Sequence, residues 1–156
     1  MTMNYPEYRA DLQRIHESEV YGAAVFNAAA SITFNQDKKK KWLCLKDLEE
    51  RTLDRYLTYM KERGKVVTSP VGWDLKGAAE GAVLGLLPWS MAMQQLANGT
   101  IAFQEKFLRL KENAVEKEDI EFFSYIYQHE KAIESFAFAE LAGEQDSLKI
   151  INDLLL

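Results

Sequence analysis

Two glutamates occupy positions where the helical pattern predicts buried apolar side chains. The apolar residues on either side of Glu19 recur every three or four positions, and so do those around Glu49. Because a helix buries residues at this spacing, the pattern directs both carboxyl groups into the protein interior. A buried carboxylate is energetically expensive unless it is paired, protonated or bound to a cation. The sequence therefore predicts an acidic cluster inside a group of packed helices.

Long segments with helical periodicity, separated by turn-forming residues, must position these glutamates. Pro6 suits the first turn of a helix, and Gly64 and Gly143 suit the ends of helices. Asn98-Gly99 is typical of a helix break, and no segment alternates with the two-residue period of a strand. We therefore predict an all-α protein with helices over residues 6–34, 37–63, 73–96, 100–114, 118–142 and 147–156.

The predicted connection between the two helical hairpins is much longer than a turn requires. Residues 64–98 separate the hairpins, whereas helix–helix connections usually contain about two to eight residues. A partly helical connector that climbs a helix ~39 Å long needs about this many residues. Two hairpins joined by one long crossover is the arrangement of ferritin-like bundles. We therefore expect residues 1–156 to form a single ferritin-like four-helix domain.

The chain resembles the ferritin-like, rubrerythrin-like superfamily in three segments, IHESEVYGAAVFNAAA, LKDLEERTLDRY and YQHEKAIESFAFAELAG. In that superfamily each hairpin supplies a Glu from one helix and a Glu-x-x-His motif from the other, and together they hold two iron or manganese ions. The resemblance implies that Glu19 and Glu105 are the two single glutamates. It also implies that Glu49 and Glu130 begin the two motifs, so these four residues are the candidate metal ligands.

Both histidines of the superfamily motif are replaced, by Thr52 and Ile133. Imidazole favours iron, manganese and zinc, whereas carboxylate alone is a less selective ligand. Two outcomes therefore stay open. In one, the glutamates hold one or two divalent ions with water completing the coordination. In the other, the site is metal-free, and carboxyl groups with raised pKa values hydrogen-bond to one another, to Thr52 or to Tyr21.

Position along the helices refines the candidate set. Glu19, Glu49 and Glu130 lie at similar heights above or below the predicted turns, whereas Glu105 lies about one turn off, so Gln104 is an alternative to it. The chain contains two histidines, of which His129 is the better candidate for a displaced ligand. It shares an apolar stripe with neighbouring helix residues and adjoins Glu130. The alternative is a helix histidine that hydrogen-bonds to a neighbouring side chain.

Composition and charge exclude several function classes. The net charge of -5 argues against general nucleic-acid binding. No nucleophile elbow or phosphate-binding glycine loop is present, which argues against common hydrolase chemistry. The first residues, MTMNYPEYRADL, contain no apolar signal-peptide core, so we expect a cytoplasmic protein.

The crossover segment contains an apolar stretch over residues 81–93, which is shorter than the ~20 residues needed to span a bilayer. We expect residues 73–96 to cover the helices and to form a homodimer contact. The alternatives are peripheral contact with a membrane surface and one wall of a hydrophobic ligand channel.

Three functions follow from the residues and the resemblance. They are an oxidoreductase that uses oxygen or peroxide, a metal-free dimeric binding protein, and a membrane-surface protein.

Overall fold

Six α-helices form the architecture of residues 3–156, which are the residues that the computed structural model describes. No strand occurs within these residues, so the all-α prediction is confirmed. The single domain over residues 1–156 stays a prediction, and its first two residues lie outside the described part. The helices are α1 (Tyr5–Ile32), α2 (Gln36–Glu62), α3 (Trp73–Leu86), α4 (Trp89–Asn113), α5 (Lys117–Leu141) and α6 (Lys149–Leu155).

Local signals in the sequence set several of the helix ends. The side chains of Asn4 and Asn35 each accept a hydrogen bond from a backbone N–H in the first turn of the helix that follows. Gly64 and Gly143 have positive φ angles just beyond α2 and α5, where a residue without a Cβ atom ends a helix at low cost. The predicted helices that correspond to α1, α2 and α5 are confirmed to within two residues at each end.

The crossover differs from the sequence prediction at Pro88 and at Asn98-Gly99. The predicted helix over 73–96 is wrong, because α3 ends at Leu86 and Pro88 caps the start of α4. The helix α4 then continues through Asn98-Gly99, where a break was expected. A Cβ atom at Gly99 would have no atom within 4 Å, so this glycine costs only its weak helix propensity, about 1 kcal/mol. The connection between α2 and α4 consequently spans residues 63–88.

The four long helices pack as two pairs, α1 with α2 and α4 with α5. Each pair is joined by a short connection, over residues 33–35 and 114–116, so the helices of a pair run antiparallel. The pairs contact each other mainly through α1 and α4. There the carboxylate of Asp11 accepts hydrogen bonds of 2.6 and 2.7 Å from the guanidinium group of Arg109.

Glycines allow α3 to lie directly against α1. Gly77, Gly81 and Gly85 recur every four residues, and a Cβ atom at Gly81 would lie only 2.2 Å from the backbone oxygen of Val25. The helix α3 contacts α1 along its length but makes few contacts with α4. The space between α3 and α4 is therefore incompletely filled by side chains.

The outer side of α3 exposes large apolar residues, including Leu75 and Leu86, each 74% exposed. The homodimer contact and the peripheral membrane contact that we expect from this segment stay predictions. In the described part of the chain, no helix combines the length and the apolar character that crossing a membrane requires.

A polar layer divides the interior into two hydrophobic clusters. One cluster includes Phe26 and Phe136, and the other includes Ile15 and Phe107. In every long helix, buried polar residues lie between the positions that contribute to the two clusters. This polar layer consists of Ser18 and Glu19 in α1, Glu49 and Thr52 in α2, Thr100 and Gln104 in α4, and His129 and Glu130 in α5.

Candidate metal centre

Glu19, Glu49 and His129 converge at the centre of the polar layer. The Nε2 atom of His129 lies 3.1 Å from Oε2 of Glu49 and 3.6 Å from Oε2 of Glu19. One ligand atom from each of the three residues lies within 4.8 Å of the other two. Glu19 and His129 are fully buried, and Glu49 is 3% exposed. The structure therefore brings together three of the residues that the sequence singled out.

Most of the polar atoms in this group lack a hydrogen-bond partner within residues 3–156. This holds for both carboxyl oxygens of Glu19, for Oε2 of Glu49 and for both ring nitrogens of His129. The 3.1 Å separation between His129 and Glu49 is short enough for a hydrogen bond, but the ring N–H is not aligned with the oxygen. Buried polar groups in proteins are nearly always satisfied, so these five atoms require an explanation.

Glu130 is the third acidic residue of the polar layer and lies beside His129, Glu19 and Glu49. Its Oε1 atom accepts a 3.1 Å hydrogen bond from the hydroxyl group of Ser18 and lies 4.0 Å from Nδ1 of His129. Sequence reasoning missed Ser18. It lies on the same face of α1 as Gly22, Val25 and Ala29, so the spacing of that stripe carried a signal.

Burial and mutual repulsion set the proton affinities in the cluster. Burial, followed by the charge of Glu49, raises the pKa of Glu19 well above its ordinary value. Burial is also the main cause that raises the pKa of Glu130 to about 7, although His129 opposes it. For His129, burial lowers the pKa, but the nearby Glu49 and Glu130 outweigh burial and leave the pKa raised. The cluster thus retains protons near neutral pH.

Glu105, the remaining predicted ligand, is not part of the cluster that Glu19, Glu49 and His129 form. It lies on the exposed side of α4, because its neighbour Gln104 takes the inward position. The amide group of Gln104 donates hydrogen bonds to Thr100 at 2.8 Å and to Glu134 at 3.0 Å. Its donors are therefore directed away from the candidate ligands.

Two residues stand where the resemblance would place histidines, and both are buried but engaged elsewhere. The hydroxyl group of Thr52 lies 2.9 Å from that of Tyr125, and Ile133 belongs to a hydrophobic cluster. Tyr21 hydrogen-bonds to Glu80 of α3 and not to the buried carboxyl groups. His16 packs against the ring of Tyr56, so His129 is the histidine that joins the cluster.

A cavity of about 630 Å³ reaches the polar layer from the side of α3. Its walls come from α1, α3 and α4, which is where α3 and α4 fail to fill the space between them. Ser18, Glu49 and Glu130 line its inner end. The candidate metal ligands are therefore buried yet adjacent to a space large enough for a small molecule.

Comparison of the chain with protein-family models, with curated proteins and with solved structures finds no match.

Proposed function

We propose that this protein is a ferritin-like metal-carboxylate protein that binds one divalent ion, iron or manganese, through Glu19, Glu49 and His129. The pairing of α1 with α2 and of α4 with α5, joined by a crossover that contains α3, supports a ferritin-like four-helix bundle. The proposed activity is that of an oxidoreductase that acts with oxygen or peroxide.

The convergence of three buried ligand atoms without hydrogen-bond partners is the observation that carries the proposal. Ligand atoms that share an ion at about 2.0–2.2 Å lie about 3–4 Å apart. The separations of 3.1 and 3.6 Å from His129 to Glu49 and Glu19 fall in that range. A cation bound by one atom from each residue would pair with Oε2 of Glu19, Oε2 of Glu49 and Nε2 of His129, which are three of the five unpartnered atoms. It would also offset the repulsion between the carboxylates.

The donor set supports one ion per chain. A second ion in the superfamily arrangement would need a nitrogen ligand where Ile133 lies, and a hydrocarbon side chain supplies none. At the other replaced position, the hydroxyl group of Thr52 is engaged by Tyr125. Glu130 would therefore lie beside the single ion. It would not belong to a second metal site, because that site would lack its nitrogen ligand.

Side chains next to the candidate ligands could orient a carboxyl group, hold a proton and limit the access of water. When bound, iron or manganese would supply electrons or accept them in reactions with oxygen or peroxide. Ser18 fixes the orientation of Glu130 by donating to its Oε1 atom. With its pKa raised to about 7, Glu130 holds or releases a proton near neutral pH at its other oxygen. The hydrophobic clusters exclude water from above and below, and the cavity reaches the site from the side of α3.

Titration of metal-free protein with Mn²⁺, followed by electron paramagnetic resonance and calorimetry, tests the proposal. We expect saturation at one ion per chain, and affinity reduced at least about tenfold in Glu19→Gln and in His129→Gln. Glu105→Gln is the matched control, because Glu105 is exposed on α4 and should leave binding unchanged. Failure to bind Mn²⁺ or Fe²⁺, or equal affinity in all three variants, would exclude the proposed site.

The second candidate function is a metal-free bundle that acts as a binding or interaction protein. The raised pKa values of Glu19 and Glu130 favour it, because protonated carboxyl groups tolerate burial without a cation. The same titration separates the two candidates, since a metal-free bundle neither binds the ion nor gains thermal stability from it.

A further inference from the structure

The cavity beside α3 has an apolar body and an acidic inner end. Val83 and Leu84 of α3 and Phe103 of α4 contribute to its walls, whereas Glu49 and Glu130 lie at its inner end. Its volume of about 630 Å³ falls within the range of small-molecule sites in proteins, about 300–1,000 Å³. The geometry therefore favours a ligand with a hydrocarbon body and one polar end.

Charge restricts which polar end such a ligand carries. Three glutamates, Glu49, Glu80 and Glu130, line the cavity, and among its described lining residues none is lysine, arginine or histidine. In the metal-free protein, an anionic head group would meet like charge in a site of low dielectric constant, and the lining residues would offer it no cationic side chain. Carboxylate oxygens accept hydrogen bonds, so a head group that donates them is complementary.

We propose that this cavity binds an amphiphilic small molecule with a linear or compact hydrocarbon body and a neutral or cationic donor group, such as an alcohol or an amine. The donor group lies toward Glu49 and Glu130, and the hydrocarbon body extends between α3 and α4. Binding itself depends on the cavity alone. The further role of this molecule as the substrate of the metal centre rests on the proposed function, since Glu49 belongs to both sites.

Three ten-carbon probes of different charge test the binding site. Decylamine, 1-decanol and decanoate are titrated below their aggregation concentrations into full-length, metal-free protein and followed by calorimetry. We expect saturable binding of the amine and the alcohol and at least tenfold weaker binding of decanoate. Shortening the amine should weaken binding by about fourfold per methylene while the chain still fits the cavity.

Gly99→Trp is designed to fill the cavity without disturbing the fold. Gly99 lines the cavity, and a Cβ atom there would meet nothing within 4 Å. Gln94→Trp is the matched control, because Gln94 is exposed on the same helix and does not line the cavity. We expect Gly99→Trp to abolish amine binding and Gln94→Trp to retain it. Glu80→Lys should weaken the amine about two- to fivefold while sparing the alcohol.

Loading with Mn²⁺ separates this inference from the proposed function. Paramagnetic Mn²⁺ should broaden the proton resonance of the probe methylene next to the amine, whereas Zn²⁺ should not. If the protein binds the amine but does not bind Mn²⁺, the proposed metal function is excluded and the proposed ligand site is retained. Bound Mn²⁺ that leaves the probe unbroadened would overturn the role as substrate. Binding of decanoate as tightly as decylamine, or undiminished binding to Gly99→Trp, would overturn the ligand site itself.

Discussion

The carboxyl group of Glu49 occupies the space that a side chain at Gly22 would need. A Cβ atom on Gly22 would lie 2.5 Å from Oε1 and 2.6 Å from Cδ of Glu49. The absence of a side chain in α1 therefore sets the position of a candidate ligand in α2. The atoms in conflict belong to the far end of a side chain and not to the backbone, so a methyl group at residue 22 would displace the carboxyl group rather than the helix.

Gly22→Ala should therefore weaken metal binding while leaving the fold intact. We expect Mn²⁺ affinity to fall by about tenfold or more. Loss of a hydrogen bond that only orients a metal ligand typically lowers metal affinity by about 10- to 100-fold, and displacement of the ligand itself should lower it at least as much. Calorimetric titration measures the affinity, and circular dichroism checks that helix content is unchanged.

Gly99→Ala is the control for this substitution, since the added methyl group meets no atom within 4 Å. It should stabilise α4 by about 0.5–1 kcal/mol through helix propensity alone and leave Mn²⁺ affinity unchanged. If Gly22→Ala bound Mn²⁺ as tightly as Gly99→Ala, Glu49 would not be a ligand held in place by this contact.

Replacing Glu19 with an apolar side chain of similar length should stabilise the metal-free protein. Both oxygens of Glu19 are buried without a hydrogen-bond partner within the described residues, and a polar group in that situation costs about 1–3 kcal/mol. We expect Glu19→Met to raise the free energy of unfolding by an amount in this range and to abolish metal binding. Urea unfolding in the presence of a chelator measures the first effect. A loss of stability would show that a partner already satisfies the carboxyl group.

Stability of the metal-free protein should fall as the pH rises through neutrality. The pKa of Glu130 is raised by burial from its ordinary 4.5 to about 7, and burial together with the charge of Glu49 raises the pKa of Glu19 well above its ordinary value. A carboxyl group whose pKa is higher in the folded state binds protons more tightly there. Its stabilising effect is therefore complete below about pH 4.5 and is lost as the pH rises through the folded-state value. His129, with a raised pKa, acts with the same sign.

Urea unfolding between pH 5 and pH 8 with a chelator present measures this dependence. We expect the free energy of unfolding to decline by a few kcal/mol over the interval, and Glu130→Gln to flatten the profile. Stability that rises with pH over this range would contradict the raised pKa values.

Close contact between α3 and α1 should make two glycines unequally sensitive to substitution. A Cβ atom at Gly81 would lie 2.2 Å from the backbone oxygen of Val25, whereas one at Gly85 would lie 3.0 Å from that of Ala29. Gly81→Ala would force the backbones of α3 and α1 apart and should lower the free energy of unfolding by about 1–3 kcal/mol. Gly85→Ala should lower it by less. Chemical denaturation gives the order, and the reverse order would show that α3 does not rest on α1 through Gly81.

The helices were largely predictable because their signals are local. Capping asparagines, C-terminal glycines and apolar periodicity act within a few residues, so α1, α2 and α5 follow from the sequence. The inward positions of Glu19 and Glu49 follow from the same periodicity. The error at Asn98-Gly99 arose because a turn-forming pair prevails only where packing permits a turn. In α4 the flanking residues Ala97 and Thr100 are buried and hold the helix continuous.

Tertiary structure alone decided which side chains meet. His129 and Glu130 are adjacent in the sequence, so their side chains leave the helix in directions about 100° apart, and periodicity suggests that only one faces the interior. The packing of α5 among its neighbours nevertheless buries both. Rotation of α4 by a fraction of a turn, which a single sequence leaves undetermined, turned Gln104 inward and Glu105 outward. The sequence by itself determined that acids lie within an all-helical protein, because periodicity is a property of one chain segment. The choice of partners and the cavity beside α3 depend on distances between helices, which only the packed structure sets.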